Sequence, residues 1–403
     1  MMSNHHHRNG WSRRDFIVTG VAGLAAAACN HGNSKTGGGS AASSAVNQST
    51  FVFRKLGRTN ITLPVVSMGS MNNPELIEAA FDQGVVHIDT SSAHARGNNE
   101  RIIGRMVRNR PRDSFVIATS TGVDVFRDHR TELIRADADP HAVYESFEGS
   151  LERLGLDYVD IYYLAANWDR RTVMFEPFMK VLERMKKEGR TRFVGVTTHR
   201  NEPNVIHAAA DSGFYDVVAT AYNFRQHHRA QVREAIAHAA EAGLGVVAFK
   251  TQAGVYWDEE RQHMINMRAA LKWVLEDTNV HTTVPAFNTY EELREGLSVM
   301  SSLPLTPRER EDLRLGDTMG WRGLYCQQCQ QCRPQCPHRQ DIPTLMRGHM
   351  YAIGYGDIDR ARETLHTASV SMTPCRDCSQ CTVRCAAGFD VQSRVAALHH
   401  RLA

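Results

Sequence analysis

The residues best suited to chemistry are cysteines in the last fifth of the chain. Eight of the nine cysteines lie between positions 326 and 385, in two runs of identical spacing. The runs are Cys326, Cys329, Cys332 and Cys336, then Cys375, Cys378, Cys381 and Cys385. Three thiolates separated by two residues hold one side of an iron–sulfur cubane, and the fourth reaches across to the other cluster in two-cluster proteins. The spacing therefore predicts two [4Fe–4S] clusters with crossed ligand sets, in which Cys385 completes the first cluster and Cys336 the second.

Two other uses of these cysteines fit the spacing less well. Structural zinc sites present two C-x2-C pairs, and not a triple at this interval. Disulfide bonds would be allowed after export to an oxidising compartment. However, cysteines two residues apart within one turn cannot all pair without strain. The pattern therefore favours iron–sulfur ligation over both alternatives.

Length and composition narrow the class of protein. The chain has 403 residues, of which 42% are hydrophobic, so it can bury a large core. Its formal net charge of +3 gives no support to nucleic-acid binding, which usually needs a strongly basic face. No apolar run reaches the roughly 20 residues that span a bilayer. The length suits one large α/β barrel with a small additional domain.

The elements that would carry a second site lie between residues 51 and 321. A short hairpin around Gly57 is followed by apolar strands that alternate with amphipathic helices. Eight strand–helix units follow one another, the first strand at 65–70 and the last at 282–288. Eight such units over roughly 250 residues predict a (β/α)8 TIM barrel. A doubly wound sheet is less favoured, because no glycine-rich phosphate loop follows the first strand.

Several segments of this region carry a family resemblance. They are Leu56-Gly57-Arg58-Thr59, Gly84–Thr90, Asn99-Glu100, Ser150–Tyr162 and Gly195–Thr198. These segments, in a region from 51 to about 302, resemble the aldo/keto reductases. The resemblance implies an oxidoreductase acting on a small carbonyl or alcohol substrate at the C-terminal face of the barrel.

The family's four catalytic positions are largely replaced in this chain. The family's Asp corresponds to Asp89, and its proton-donating Tyr corresponds to His94. Ser120 stands where the family has Lys, and Ala165 where it has His. The resemblance makes Asp89 and His94 the candidate catalytic residues, with His94 as the acid. An adjacent Asp89 carboxylate would raise the pKa of His94. The alternative is a catalytically silent barrel.

The residues that hold the nicotinamide in the family are also altered. Thr197 and Thr198 stand where the family holds the carboxamide with Ser-Asn, and Ala219 replaces a Gln that does the same. Phe249 matches the aromatic residue that stacks on the nicotinamide, and Lys250 could supply positive charge beside it. The resemblance thus leaves NADP(H) as a candidate cofactor at Thr197, Thr198, Phe249 and Lys250, although the methyl group of Ala219 cannot bind a carboxamide.

The last part of the chain, residues 322–403, is predicted to form a separate domain. Apolar residues recur at helical spacing between the two cysteine runs and again after Cys385. The segment therefore resembles an α-helical ferredoxin domain, and barrels of this family fused to such a domain form a recognised subgroup. The predicted domains are a signal region 1–29, a flexible linker 30–50, a barrel 51–321 and a ferredoxin-type domain 322–403.

The first fifty residues predict export. Arg13 and Arg14 precede an apolar stretch of small residues, as in a twin-arginine signal. The expected location is the periplasm or the outer face of the cell membrane. Cys29 could carry a lipid that attaches the protein to the membrane, or it could be an unmodified residue near a cleavage site.

These observations support one leading functional hypothesis. We expect an oxidoreductase whose barrel binds a small organic substrate and whose two clusters exchange electrons with a redox partner protein. The alternative is a barrel that has lost catalysis and serves as a ligand-binding scaffold or sensor with an electron-transfer domain. A lyase or isomerase using Asp89 and His94 is less favoured, because the sequence places no electrophile to stabilise an enolate.

Overall fold

The computed structural model describes residues 51–128, 131, 133–258, 260–368, 370, 371, 375, 378 and 381–403. The predicted twin-arginine signal, the linker and Cys29 lie outside the described residues. Among the residues that are described, no helix combines the length and apolarity needed to cross a membrane.

A short antiparallel hairpin begins the described chain, and a curled parallel sheet follows it. Phe53–Lys55 (β1) pairs with Thr62–Pro64 (β2). The seven parallel strands, adjacent in chain order, are His87–Asp89 (β3), Val116–Gly122 (β4), Val159–Asn167 (β5), Thr191–Thr198 (β6), Val217–Ala221 (β7), Gly245–Phe249 (β8) and Thr282–Thr283 (β9).

The segment predicted as the first barrel strand closes this sheet. Val66 forms a parallel bridge to Thr283 of β9, and Met68 forms one to Ile88 of β3. The segment between them therefore joins both edges of the sheet through single bridges rather than a continuous ladder. The predicted (β/α)8 barrel is confirmed, although its last strand is only two residues long.

Helices cover the outside of the sheet, as the alternating pattern predicts. They are Pro74–Asp82 (α1), Asn98–Val107 (α2), Pro140–Leu154 (α3), Arg170–Val173 (α4), Glu176–Lys187 (α5), Glu202–Ser212 (α6), Arg229–Glu241 (α7), Met267–Leu275 (α8), Tyr290–Ser298 (α9) and Pro307–Met319 (α10). The main apolar core lies between these helices and the sheet.

The β1–β2 hairpin closes the N-terminal end of the barrel. Leu56, Ile61 and Leu63 are buried in one cluster with the inward-facing side chains of the strands. Gly57 allows this close approach, because its φ is +50° and a Cβ there would lie 2.3 Å from the Gly245 nitrogen. The barrel is therefore closed at this end, and its C-terminal end is the one that can hold a site.

The Asn99-Glu100 pair fixes α2 to the barrel. The Asn99 amide donates to the Met71 carbonyl at 2.7 Å and accepts from the Thr90 hydroxyl at 2.6 Å. Glu100 accepts from Thr119 and forms an ion pair with Arg153, both at 2.6 Å. These residues are buried, so the family motif found in the sequence has a structural role here.

The C-terminal region is helical and packs on the barrel. It contains Ile342–His349 (α11), which continues as a π-helical turn Met350–Gly354, then Ile358–Thr367 (α12) and Val391–Leu402 (α13). Buried ion pairs join it to the barrel. The Asp341 carboxylate, directly before α11, lies 3.3 Å from Arg127 and 3.5 Å from Arg200.

Candidate functional site

The structure gathers the cysteines into two sets that combine the two runs. Electrostatic coupling links Cys326 and Cys332 to Cys329 and to Cys385 of the other run. Burial, followed by repulsion from the neighbouring thiolates, raises the pKa of Cys332 to about 12. Burial also raises the pKa of Cys326 to about 12, partly offset by a hydrogen bond from the Gln328 backbone.

The second set surrounds a cavity. Cys375, Cys378 and Cys381 line a space of about 250 Å³ together with Cys336 of the first run. Burial and the neighbouring thiolates raise the pKa of Cys375 to about 11. The two sets brought together are therefore the crossed sets that the spacing predicts.

The donor chemistry of these sets fits iron–sulfur clusters. Thiols with pKa values this high keep their protons at neutral pH unless bound cations stabilise the thiolates. Across the described residues no disulfide bond is formed. In that same part of the chain, no three His, Cys, Asp or Glu side chains approach closely enough to hold a single metal ion. A cubane holds its four thiolates around an inorganic core, farther apart than the ligands of one ion.

Asp89 lies at the C-terminal end of β3, and no cation among the described residues pairs with it. Burial raises the pKa of Asp89 from 3.8 to about 7. The family's Lys would supply an ammonium group here, but Ser120 stands at that position. The Ser120 carbonyl instead accepts hydrogen bonds from Ser91 and Ser92, each at 3.1 Å. Asp89 therefore holds its proton up to nearly neutral pH.

His94 lies on the loop after β3 and faces the C-terminal region. Its Nδ1 is hydrogen-bonded to the Ser70 hydroxyl, and it shares a cleft with Arg360 of α12. Burial, and then the Arg360 charge, lower the pKa of His94 to about 4. The expectation that Asp89 raises this pKa is therefore wrong. Within the described chain no hydrogen bond or ion pair joins the two side chains, and the nearby charge is positive.

Three of the four residues predicted to hold the nicotinamide are engaged within the protein, and Lys250 is the exception. The Thr197 hydroxyl accepts from the Ala166 nitrogen at 3.2 Å. The Thr198 hydroxyl donates to the Asn167 carbonyl at 2.9 Å. The His199 ring lies against Phe249, with ring centroids 4.4 Å apart. With Thr197, Thr198 and Phe249 engaged in this way, the residues present do not fit a nicotinamide.

A cavity of about 240 Å³ lies where the barrel meets the C-terminal region. His199 and Lys250, which follow β6 and β8, line it from the barrel side. Arg347, Tyr351 and Cys326 line it from the other side. A cysteine of the first set thus faces the C-terminal mouth of the barrel.

Sequence reasoning missed Arg347 and Tyr351, which line this cavity, and Arg360, which lies in the cleft with His94. Nothing in their local sequence marks them, because they belong to helices whose docking on the barrel is a long-range contact. Arg225, on the loop after β7, is engaged elsewhere and donates to the backbone carbonyls of Ala253 and Arg322.

Comparisons with known proteins agree with both parts of this architecture. Residues 70–269 match the model of the aldo/keto reductase family, and residues 325–390 match that of the 4Fe-4S dicluster domain. The chain therefore contains an aldo/keto reductase domain and a 4Fe–4S dicluster domain.

Individual relatives match the barrel region only in part. The aldo-keto reductase YhdN of Bacillus subtilis is 34% identical over 124 residues, which are 30% of this chain and 36% of that protein. The NADH-specific methylglyoxal reductase of Escherichia coli is 29% identical over 164 residues, which are 35% of this chain and 50% of that protein. The chain thus spans half or less of these relatives' lengths.

Among solved structures, the aldo-keto reductase AKR11C1 from Bacillus halodurans in its holo form superposes with a TM-score of 0.52 at 20% identity. The match covers 66% of this chain and 95% of that one, and it shows a shared fold.

Proposed function

We propose that the protein is an oxidoreductase that converts a small carbonyl or alcohol substrate at the barrel mouth and exchanges electrons through two [4Fe–4S] clusters. One observation carries the proposal: Cys326 of the first cysteine set lines the same cavity as Lys250 and His199 of the barrel. When bound, the clusters supply one-electron transfer. A carbonyl takes up two electrons and two protons to become an alcohol, so the two clusters, carrying one electron each, would together supply the electron pair to a substrate in this cavity.

The position of the second cysteine set suggests the route that electrons would take through the protein. The cavity formed by Cys336 and Cys375 is also lined by Gln392 and His399 of α13. Electrons from a redox partner protein would therefore enter at the second set. They would pass to the first set and from there to the barrel mouth.

Protein side chains at the mouth can hold protons for such a reaction. Asp89 keeps its proton up to about pH 7. Burial would raise the pKa of Tyr351, but the charges of Lys250, Arg360 and Arg347 outweigh burial and lower it. A tyrosine hydroxyl with a lowered pKa is a better proton donor near neutral pH than an ordinary one.

Reoxidation of the clusters by a carbonyl compound tests the proposal. The full chain, with clusters installed anaerobically and reduced chemically, is mixed with a panel of small aldehydes, ketones and 2-oxo acids. We include methylglyoxal because the name of one relative specifies it. We expect the visible absorbance of oxidised clusters to return. NADPH should not replace the chemical reductant in this assay.

Two cysteine variants locate the site of reaction. Cys326→Ala should abolish the response to carbonyls, because it removes the cluster that faces the barrel. Cys375→Ala keeps the first set but holds one electron per chain, so it should form alcohol only with excess reductant that refills the cluster between the two electron transfers. If no compound reoxidises the clusters although ligands bind the barrel, the scaffold or sensor hypothesis replaces this one.

We also propose export by the twin-arginine route to the periplasm or the outer face of the cell membrane. The order of the Arg13-Arg14 pair, the apolar stretch and the flexible linker supports it. This route carries folded proteins, so it suits a protein whose clusters are inserted before export. Lipidation of Cys29 would attach the protein to the membrane, and Cys29→Ala should then release it.

A further inference from the structure

We propose that the cavity between the barrel mouth and the C-terminal region is a carboxylate site, and that the substrate is a small 2-oxo or 2-hydroxy acid. Lys250 and Arg347 would bind the carboxylate from opposite walls of the cavity. The carboxylate assignment rests on the charges of the cavity. The oxo or hydroxy group rests on the proposed function.

Among the described residues the two cations of this cavity form no close ion pair, although the Glu202 carboxylate acts on Lys250 without a salt bridge. In the described part of the chain, no hydrogen bond or ion pair engages the Lys250 ammonium or the Arg347 guanidinium. Lys250 is exposed to the cavity and Arg347 is partly exposed. A bound anion would therefore meet two cations that are already in place, one of them suited to bidentate binding of a carboxylate.

The carboxylate that does line the cavity is already occupied. Glu202 is fully buried and lies 2.8 Å from His228 Nε2 and 3.4 Å from Gln226 Nε2. Its charge also acts on Lys250, but it raises the pKa of that ammonium by less than burial lowers it. One carboxylate facing two cations leaves the described lining of the cavity with a net positive charge.

The positive charges of the cavity also act on His199, and one of its ring nitrogens is unpaired among the described residues. Burial lowers its pKa first, and Lys250, Arg347, Arg200 and His94 all lower it further. Its buried Nδ1 has no hydrogen-bond partner among the described residues. Buried polar atoms of this kind usually have a partner, so a ligand group beside Nδ1 is expected.

The size of the cavity limits what the anion can be. A volume of about 240 Å³ accommodates a small organic acid and is too small for a dinucleotide. The same two cations can also bind a phosphate, and the NADP(H) arm of the experiment below distinguishes that ligand from a carboxylate. The Tyr351 hydroxyl and His199 Nδ1 are the polar groups available to a carbonyl or hydroxyl oxygen next to that carboxylate.

A different role for the cations must be separated from this one. The charge of Lys250 also acts on Cys326, so the two cations could serve only to balance the charge of the first cysteine set. Ligand binding and cluster potential are independent readouts, and they distinguish the two roles.

The experiment measures binding to the full chain with oxidised clusters, by titration calorimetry without turnover. Pyruvate is the probe, and pyruvamide, which has the same shape without the charge, is the matched control ligand. We expect pyruvamide to bind roughly 10- to 100-fold more weakly than pyruvate, the value of hydrogen bonds to a charged group. Lys250→Met and Arg347→Met should each weaken pyruvate binding by a similar factor and leave pyruvamide binding unchanged.

Control variants guard against loss of structure. Arg347→Lys keeps the charge and should recover much of the pyruvate affinity. Arg105→Met, at an exposed position on α2 away from the cavity, should bind pyruvate like the parent. Each variant is accepted only if its visible cluster spectrum matches that of the parent.

Three results would overturn the inference. Pyruvamide could bind as tightly as pyruvate. The Lys250 and Arg347 variants could change the cluster potential without changing pyruvate affinity. NADP(H) or its phosphate-bearing fragment could displace pyruvate at lower concentration. By contrast, if pyruvate binds as expected but no carbonyl reoxidises the clusters, the carboxylate site stands and the proposed function fails.

Discussion

Replacing Asp341 by Asn should destabilise the docking of the C-terminal region on the barrel by about 3 kcal/mol, the lower end of the range for breaking a buried ion pair. The Asp341 and Arg127 side chains are each 1% exposed, and that of Arg200 is 4% exposed. Both arginines also make other interactions, which is why we expect the lower value. The substitution isolates the charge, because Asn can still accept the hydrogen bond from the Thr344 nitrogen that begins α11.

Urea unfolding under anaerobic conditions measures this loss with two probes. Tryptophan fluorescence reports on the barrel, where Trp168 lies beside Arg127. Visible absorbance reports on the clusters. We expect the absorbance transition of Asp341→Asn to shift to lower urea and to separate from the fluorescence transition, since the two domains lose their coupling.

Two further variants make the result decisive. Glu176→Gln breaks an exposed ion pair with Lys180 and should leave both transitions unchanged. Adding Arg200→Met to Asp341→Asn should recover part of the loss, because it removes one of the two cations left behind. If Asp341→Asn unfolds at the urea concentration of the parent in both probes, the buried ion pairs do not hold the domains together.

Four other predictions follow from groups described above. The His94 imidazole should titrate below pH 5 when followed by NMR, and a midpoint above 6.5 would contradict this. Because the pKa of about 4 in the folded protein lies below the unfolded value, the contribution of His94 to stability is present above about pH 6.5 and is lost as the pH falls toward 4. Asp89 has the opposite pH dependence, because its stabilising contribution is complete below pH 3.8 and is lost as the pH rises through about 7. Between these pH values, the free energy of unfolding of the parent, measured by denaturation, should fall relative to that of Asp89→Asn. Anaerobically prepared protein should hold about eight irons per chain, and Cys336→Ala should lose about half of them by depleting the second cluster, whereas stoichiometric zinc would refute the assignment. Lysine at both Arg13 and Arg14 should retain the precursor in the cytoplasm, and continued export would point to the general secretory route.

The barrel and the crossed cysteine sets could be predicted because both depend on spacing along the chain. Continuous apolar strands between amphipathic helices permit few architectures other than a barrel. The interval between Cys326 and Cys332 is set by local backbone geometry, and the reach of Cys336 to the other set follows from it. The first strand was predicted in place, but its reduction to bridges at Val66 and Met68 depends on barrel closure, which local pattern does not show.

The electrostatics of the mouth could not be predicted. The sequence places Asp89 five positions before His94 and suggests a pair. In the structure Arg360, from a helix more than two hundred residues later, is the charge that acts on His94. Lys250 likewise meets Tyr351 only because the C-terminal region folds over the barrel. Contacts of this range depend on how two independently patterned domains dock.

The crossing of the cysteine sets determines the order in which the protein can be made. A barrel can begin to fold while its chain is being synthesised, since each strand–helix unit pairs with the previous one. Neither cysteine set can be completed in this way, because the first waits for Cys385 and the second for Cys381. A ribosome that stalls between Cys336 and Cys375 would release a barrel with four cysteines that close no site. We therefore expect cluster insertion to be a late step, which follows translation of this whole region.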